Sequence, residues 1–240
     1  MTAPTAPLPG SEGGRRGIRL AVLDMAGTTV SDDGVVLAAF AGALDAVGWS
    51  PARIAEEGTD YVVASMGRSK QEVFTELLGG DDRLALVATA AFEEHYERAV
   101  TAGRVSALPG SEGALERLRA LGIRICLTTG FAPRTRDAII RSLGWTSTVD
   151  LALSPADAGR GRPWPDMVLT ALMRLEIDDV RHVAVAGDTT HDLLAGWRAG
   201  ASIVAGVLTG AHDRELLATA PHTHLIDSIA ELPEVLTCLE

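Results

Sequence analysis

The 240-residue sequence has only two cysteines, Cys126 and Cys238, and no apolar run near the roughly 20 residues that a bilayer-spanning helix needs. Two cysteines so far apart exclude a disulfide scaffold and a cysteine-based zinc site. Residues 1–14 lack the apolar stretch of about 7–15 residues that is typical of a signal peptide. We therefore expect a soluble, cytoplasmic protein with no membrane partner, in which residues 1–16 form a disordered tail.

Positive charge is also scarce, with 21 basic residues against 32 acidic residues and a formal net charge of -11. This balance argues against nucleic acid as a partner, although it leaves room for a local anion site. Lysine is almost absent, because Lys70 is the only one and the other 20 basic residues are arginine. Arginine cannot act as a neutral amine. A single lysine in this background therefore raises the question of an amine function.

Hydrophobic residues make up 47% of the chain, which is enough for one large domain or for a core domain with a smaller insertion. Four short apolar runs are typical of buried parallel strands, at 18–23, 123–127, 183–186 and 202–207. Segments with helical apolar spacing lie between the later runs. This alternation predicts an α/β fold, a Rossmann-like three-layer core with a parallel sheet between helices.

The segment from 34 to 104 interrupts the alternation. Its apolar residues recur at spacings of three and four, and it has no strand-like run of comparable strength. This pattern predicts a helical domain inserted after the first strand. The core domain would then comprise residues 17–33 and 105–240.

Polar motifs stand at the ends of the predicted strands. Asp24 belongs to the segment DMAGTTV after the first strand, and Asp188 and Asp192 belong to GDTTHD after a later one. Open α/β sheets bind ligands at the carboxyl ends of their strands, so these carboxylates are predicted to share one crevice. Two aspartates four residues apart can hold a hard divalent cation. Two ordinary alternatives stay open: Asp24 as a strand-end residue before a turn, and Asp188 or Thr189 as a helix cap.

Two weaker motifs complete the set. The segment Thr128-Thr129-Gly130 ends another predicted strand, and Arg162 lies in the proline-flanked loop GRPWPD. Hydroxyl groups, backbone N–H groups and a guanidinium are all suited to binding phosphate oxygens. Each of these motifs alone is commonplace, because threonine at strand ends and arginine in loops occur in many proteins.

Together and in this order, the four motifs resemble those of the haloacid dehalogenase superfamily of phosphotransferases. The resemblance covers about residues 18–236 and puts the helical insertion where that superfamily has a C1-type cap. It implies that Asp24 attacks phosphorus and carries a transient aspartyl-phosphate. It also implies that Mg²⁺ is held by Asp24, the backbone carbonyl of Ala26 and Asp188, with Asp192 as a further or water-mediated ligand.

The same resemblance implies that Thr128 or Thr129, together with Arg162, holds the transferring phosphoryl oxygens. The sequence does not distinguish the two threonines. The expected ligand is a small phosphorylated or phosphonate metabolite, and the resemblance suggests a homodimer through the cap helices. The other residues expected to contact the substrate are Gly27, Thr28, Met66, Arg68, Gly130 and Phe131.

Ala26 departs from the pattern of most phosphatases of the superfamily, which have a second aspartate at this position. That aspartate protonates the leaving alkoxide, and proton donation of this kind is typically worth about 10²–10⁴-fold in rate. Alanine can donate no proton. Either another acid replaces it, or the leaving group needs none.

The motif Asp-x-Ala-Gly-Thr-Thr-Val looks like that of the phosphonatase (phosphonoacetaldehyde hydrolase) branch. In that branch arginine also takes the usual lysine position, as Arg162 does here. In that branch a cap lysine within Met-Gly-x-x-Lys forms a Schiff base with the substrate aldehyde. This chain has Met66-Gly67-Arg68-Ser69-Lys70 in its insertion. A protonated imine accepts the electrons of the breaking C–P bond, so no acid is needed at position 26. The alternative for Lys70 is a solvated residue at a helix start.

Three positions depart from the phosphonatase pattern. Val73 stands where that branch has a histidine, Phe131 where it has a tyrosine, and Val35 where it has a cysteine. These departures put phosphonoacetaldehyde itself in doubt and favour a related phosphonate. The hypothesis is Mg²⁺-dependent C–P cleavage of a small phosphonate through an aspartyl-phosphate and a lysine Schiff base. The alternatives are hydrolysis of a small phosphate monoester and a non-catalytic role in binding a phosphorylated ligand.

Overall fold

The computed structural model of the protein describes residues 17–31 and 34–237. The tail predicted for residues 1–16 lies outside the described residues. Eight strands form a six-stranded sheet and a separate two-stranded ribbon. They are β1 Leu20–Asp24, β2 Val30–Ser31, β3 Ser106–Ala107, β4 Arg124–Thr128, β5 Leu151–Leu153, β6 Val183–Gly187, β7 Ile203–Val207 and β8 His224–Ile226.

Twelve α-helices are described, with one π-helical segment at Ile54–Gly58. Five of them lie between β2 and β3: α1 Val35–Ala46, α2 Pro51–Arg53, α3 Thr59–Ala64, α4 Lys70–Leu77 and α5 Asp82–Thr101. Seven follow β3: α6 Ser111–Ala120, α7 Pro133–Ser142, α8 Pro155–Ala158, α9 Asp166–Arg174, α10 Thr190–Ala199, α11 Arg214–Leu217 and α12 Leu232–Thr237. None of the described helices is long and apolar enough to cross a membrane.

The large sheet confirms the predicted fold class. Its strand order is β5-β4-β1-β6-β7-β8, and every neighbouring pair is parallel. All five residues of β1 are buried, as expected for the central strand of a sheet that is covered on both faces. The β1–β4 register sets Asp24 beside Thr128, and Leu23 lies beside Ala186 of β6. The carboxyl ends of these three strands therefore meet at one edge.

Alternation along β1 divides the core into two layers. Ala21 and Leu23 pack into a cluster with residues of α6 and α7, whereas Leu20 and Val22 pack with Met167 of α9 on the opposite face. Successive side chains of a strand point to opposite faces of its sheet, so one short apolar run contributes buried side chains to both layers. This arrangement is the three-layer core that the sequence predicts.

The inserted helices α1–α5 form a cap. In the segment that leads into the cap, Val30 pairs with Ala107 in an antiparallel ribbon, because the two connections between cap and core run side by side. The cap interior holds an aromatic cluster built from Phe40, Phe74 and Phe92. The ring of Phe131, from the core, stacks on Phe92 with 5.9 Å between the centroids. One continuous apolar cluster therefore joins the cap to the core.

Replacing Leu118 tests the layer between α6 and the sheet. Leu118 is fully buried there, so Leu118→Ala should lower the free energy of unfolding by about 2–5 kcal/mol. Leu121→Ala is the matched control, because Leu121 follows the same helix and is 49% exposed. Urea unfolding of the three proteins measures both effects. Equal destabilisation by the two substitutions would contradict this assignment of the core.

Candidate active site

Asp24 ends β1 and lies buried at the carboxyl edge of the sheet. The loop that follows is tight, because the carbonyl of Met25 accepts hydrogen bonds from the N–H groups of Thr28, Thr29 and Val30. The Thr29 hydroxyl donates to the backbone carbonyl of Asp24 at 2.9 Å. This turn fixes the direction of the strand end, so the Asp24 carboxylate faces the crevice.

Arg162 holds two carboxylates at once. Its guanidinium donates hydrogen bonds to Asp24 and to Asp192, and all three side chains are buried. The second oxygen of Asp192 accepts from the backbone N–H and the hydroxyl of Thr189, completing a capping box at the start of α10. Both oxygens of Asp192 are thus already in contact with protein donors.

Asp188 follows β6 and is held by two other loops. Thr28 donates its hydroxyl to one oxygen at 3.2 Å, and the N–H of Ala211 donates to the other at 2.7 Å. The loop after β7 approaches so closely that a Cβ at position 210 would lie 2.0 Å from the Asp188 carboxylate, so only Gly210 fits. Sequence reasoning missed the Thr209-Gly210-Ala211 segment, although it stands at a strand end like the other motifs.

Burial and mutual repulsion act on these acids. Burial raises the pKa of Asp24 well above its usual range, and the charges of Asp192 and Asp188 add to this, while Arg162 opposes it. Burial, with the charge of Asp192, also raises the pKa of Asp188 to about 6. One guanidinium among three buried carboxylates leaves negative charge uncompensated, which favours binding of a cation.

A metal ion fits this donor set. Asp24, Asp188 and Ala26 line the same cavity, and carboxylate and backbone carbonyl oxygens suit a hard divalent cation. Among the described residues, no three His, Cys, Asp or Glu side chains form a metal-binding group. Both oxygens of Asp192 already accept hydrogen bonds from Arg162 and Thr189. Coordination of a metal ion by Asp192 therefore stays a prediction. Of the two helix caps that the sequence left open, the structure has Thr189, which is the N-cap of α10, and Asp192 completes its capping box.

A cavity of about 380 Å³ lies between the sheet edge and the cap. Its volume suits a small ligand. Apolar walls come from Val30, Val36, Leu37 and Leu108. The predicted site residues that the structure brings together around it are Asp24, Ala26, Gly27, Met66, Lys70, Thr129, Gly130, Phe131, Arg162 and Asp188.

The structure separates the two threonines that the sequence left open. Thr129 lines the cavity, and its hydroxyl oxygen accepts a hydrogen bond from the Phe131 N–H at 3.2 Å. The Thr128 hydroxyl instead donates to the carbonyl of Leu23 inside the sheet at 3.4 Å. Thr129 is therefore the better placed of the two to meet a ligand.

Two residues expected to contact the substrate lie elsewhere. The guanidinium of Arg68 makes a two-point contact with the Glu76 carboxylate, at 2.9 and 2.5 Å, and Tyr61 donates to that carboxylate as well. These contacts lower the pKa of Glu76 to about 2. Arg68 is turned away from the cavity because this pair satisfies it. Thr28 is fully buried and positions Asp188 instead of lining the cavity.

Lys70 is the first residue of α4, and its side chain is buried. Its amino nitrogen lies 5.4, 5.7 and 5.5 Å from the ring centroids of Phe40, Phe92 and Phe131. The same cavity is lined by Lys70 and Asp24. The solvated-helix interpretation of Lys70 is therefore wrong, and the lone amine of the chain shares a cavity with the strand-end carboxylate.

The cap meets the core at residues 130–132. The Lys70 N–H donates to the Gly130 carbonyl at 3.4 Å, and the Ala132 N–H donates to Glu93 of α5 at 2.9 Å. A Cβ at Gly130 would lie 2.2 Å from the backbone oxygen of Arg68. Only glycine permits this approach of cap and core, which encloses the cavity.

Comparison with known proteins gives these features a family context. The model of the family described as haloacid dehalogenase-like hydrolase matches residues 18–200. The probable phosphatase IndB of Dickeya dadantii is 26% identical over 216 residues, covering 89% of this chain and 91% of that protein. A phosphonoacetaldehyde hydrolase of Bordetella pertussis is 29% identical over 203 residues, covering 74% and 71% respectively.

The fold has solved counterparts. The crystal structure of a phosphonoacetaldehyde hydrolase-like protein from Oleispira antarctica matches with a TM-score of 0.78 at 23% identity, covering 100% of this chain and 96% of that one. Likeness at this identity concerns the fold alone. Alignments with several Pseudomonas phosphonoacetaldehyde hydrolases span only about half of each of those proteins.

The contact at Gly130 makes a testable prediction. In Gly130→Ala the added methyl group must push the Arg68 backbone away, so amide hydrogen exchange in residues 66–72 should become at least about tenfold faster, ~1.4 kcal/mol of opening free energy. Gly113→Ala is the control, because that position is exposed in α6 and has nothing within 4 Å of an added Cβ. Unchanged exchange in Gly130→Ala would contradict the described closure.

Proposed function

This chain belongs to the haloacid dehalogenase-like hydrolase family, and from that premise we propose that it cleaves the C–P bond of a small phosphonate aldehyde, phosphonoacetaldehyde or a relative of it. The observation that carries the proposal is the buried amine of Lys70 in the cavity of Asp24. The presence of Ala26 where an acid would serve ester hydrolysis supports the same reaction.

Mg²⁺ is the divalent metal that we propose for this site, with Asp24, Asp188 and the Ala26 carbonyl as the groups that would hold it. When bound, it would neutralise negative charge and polarise the phosphoryl oxygens. Arg162 stabilises the anionic form of Asp24, because its guanidinium donates to that carboxylate. This ionised form is the one that a nucleophile needs.

The reaction begins at the amine. Neutral Lys70 adds to the aldehyde carbon, and uptake of one proton with loss of water gives a protonated imine. Asp24 then attacks phosphorus, and the electron pair of the C–P bond moves into the imine to give an enamine. The enamine takes up a proton from water at carbon to become a protonated imine. Water then releases the aldehyde from Lys70 and phosphate from Asp24.

The surrounding residues position the phosphonate. Arg162 and the Thr129–Gly130 segment lie beside Asp24 in the cavity and supply guanidinium, hydroxyl and backbone groups toward phosphoryl oxygens. Cap closure at Gly130 keeps bulk water from the reacting groups while the phosphoryl group moves. Opening of the cap lets the products leave.

Hydrolysis of a phosphate monoester is the second candidate. It is favoured by the similarity to a probable phosphatase over 89% of the chain. It is also favoured by Val73 and Phe131, which are both buried and carry no proton-transfer group. The non-catalytic alternative is set aside because the chain belongs to a hydrolase family and retains Asp24 and Asp188. A homodimer through the cap stays a prediction.

Lys70→Arg separates the two candidates. Arginine keeps the positive charge and cannot form the imine, so phosphate release from phosphonoacetaldehyde should fall by at least about 10⁴-fold. Any release from small phosphate monoesters should change by less than about tenfold, because Asp24 and Arg162 remain. Colorimetric phosphate release, with and without Mg²⁺, measures both reactions.

Arg83→Lys is the matched control, since Arg83 lies exposed on α5 and the change adds a lysine away from the cavity. It should leave both rates unchanged. Full turnover of the phosphonate by Lys70→Arg would rule out the imine route. Release from phosphate monoesters alone by the unmodified protein would establish the second candidate.

A further inference from the structure

We propose that Glu93 transfers the protons that form and hydrolyse the imine at Lys70. This inference rests on the proposed function, because it concerns the same amine. Glu93 follows Phe92 on α5, and the Phe92 ring lies 5.7 Å from the Lys70 nitrogen. Glu93 is thus the next residue along α5 after the one whose ring packs on the amine.

The two oxygens of Glu93 have different surroundings. Oε1 accepts the Ala132 N–H at 2.9 Å, which anchors the side chain to the core. Oε2 is buried and has no hydrogen-bond partner within the part of the chain that the structure describes. A buried carboxylate oxygen without a partner is costly unless it carries a proton or meets a ligand. Oε2 is therefore the atom suited to hold the transferable proton.

A second cavity, of about 520 Å³, is lined by both Glu93 and Lys70. Lys70 also lines the cavity of Asp24, so its side chain lies between the two spaces. A water molecule occupies about 30 Å³, so this second cavity has ample room for the water that imine formation releases and that hydrolysis consumes. Glu93 and Lys70 therefore line one space that has room for water.

Electrostatics at Glu93 suit this role. Burial raises the pKa of Glu93, and the charge of the neighbouring Glu97 adds to this, whereas the Thr135 hydroxyl, the Ala132 N–H and the charge of Lys70 act in the opposite direction. A carboxyl group whose pKa is moved toward neutrality can both donate and accept a proton at physiological pH. The three phenylalanine rings around the amine can do neither.

The proton steps balance. As the C–N bond forms, the protonated Glu93 gives its proton to the aldehyde oxygen, which becomes the hydroxyl of a carbinolamine. The resulting carboxylate takes a proton from the attached nitrogen. It returns that proton to the hydroxyl, which leaves as water while the C–N double bond forms. Hydrolysis of the product imine runs through the same steps in reverse and restores the protonated Glu93.

Glu93→Gln tests the proposal, because the amide keeps an oxygen for the Ala132 N–H and loses the acid. The kcat for phosphonoacetaldehyde should fall by about 10²–10³-fold, while KM changes by less than about threefold. Glu94→Gln is the matched control, since it removes the same charge from the next, exposed residue of α5. That variant should stay within about twofold of the unmodified protein.

Chemical rescue separates proton transfer from a structural role. Glu93→Ala should have a low kcat. Added formate should raise that kcat at least about tenfold, because a small carboxylic acid can enter the second cavity. A Glu93→Gln protein with normal kcat would overturn the proposal, and so would a loss confined to KM or one that formate leaves unchanged. No phosphonate cleavage by the unmodified protein would instead overturn the proposed function, and this inference with it.

Discussion

Burial of one primary amine against three phenylalanine rings is the feature on which the site depends. Lys70 reaches that position only because α4 begins at the seam where cap and core touch, and because glycine at position 130 admits the cap backbone. An amine in this setting shares a cavity with Asp24 and has little contact with bulk water. The same fold with an exposed lysine would offer ordinary hydrolase groups and no electron acceptor for a carbon leaving group.

The carboxylates at the edge of the sheet form the second part of the candidate site. Two of the three buried carboxylates, Asp24 and Asp192, pair with Arg162, so the ionised forms of all three depend on further positive charge. A divalent cation would meet that requirement and, with Arg162, would offset the charge of a phosphoryl anion. In the proposed reaction, Lys70 adds a further positive charge as a protonated imine only after an aldehyde has reacted.

Much of this arrangement follows from the sequence, because apolar runs fix the parallel strands and parallel strands bring their carboxyl ends together. Asp24 and Asp188 were predictable for that reason, whereas Arg162 is predicted from its proline-flanked loop and from the resemblance. The position of Arg68 outside the cavity was not predictable, because its partner Glu76 is 8 residues further along the chain and only the folded structure pairs the two side chains. Glu93 gives no sequence signal, since a glutamate on an amphipathic helix is typical of a solvated face. The β2–β3 ribbon has two residues per strand, too few for a periodic pattern.

Reductive trapping tests the central claim most directly. The protein, phosphonoacetaldehyde and sodium borohydride are incubated together, and peptide mass spectrometry then locates the organic fragment. The account predicts a reduced adduct on Lys70 that requires the substrate and is absent from Lys70→Arg. Phosphate release without any adduct on Lys70 would contradict it and would assign the site to hydrolysis by Asp24 alone.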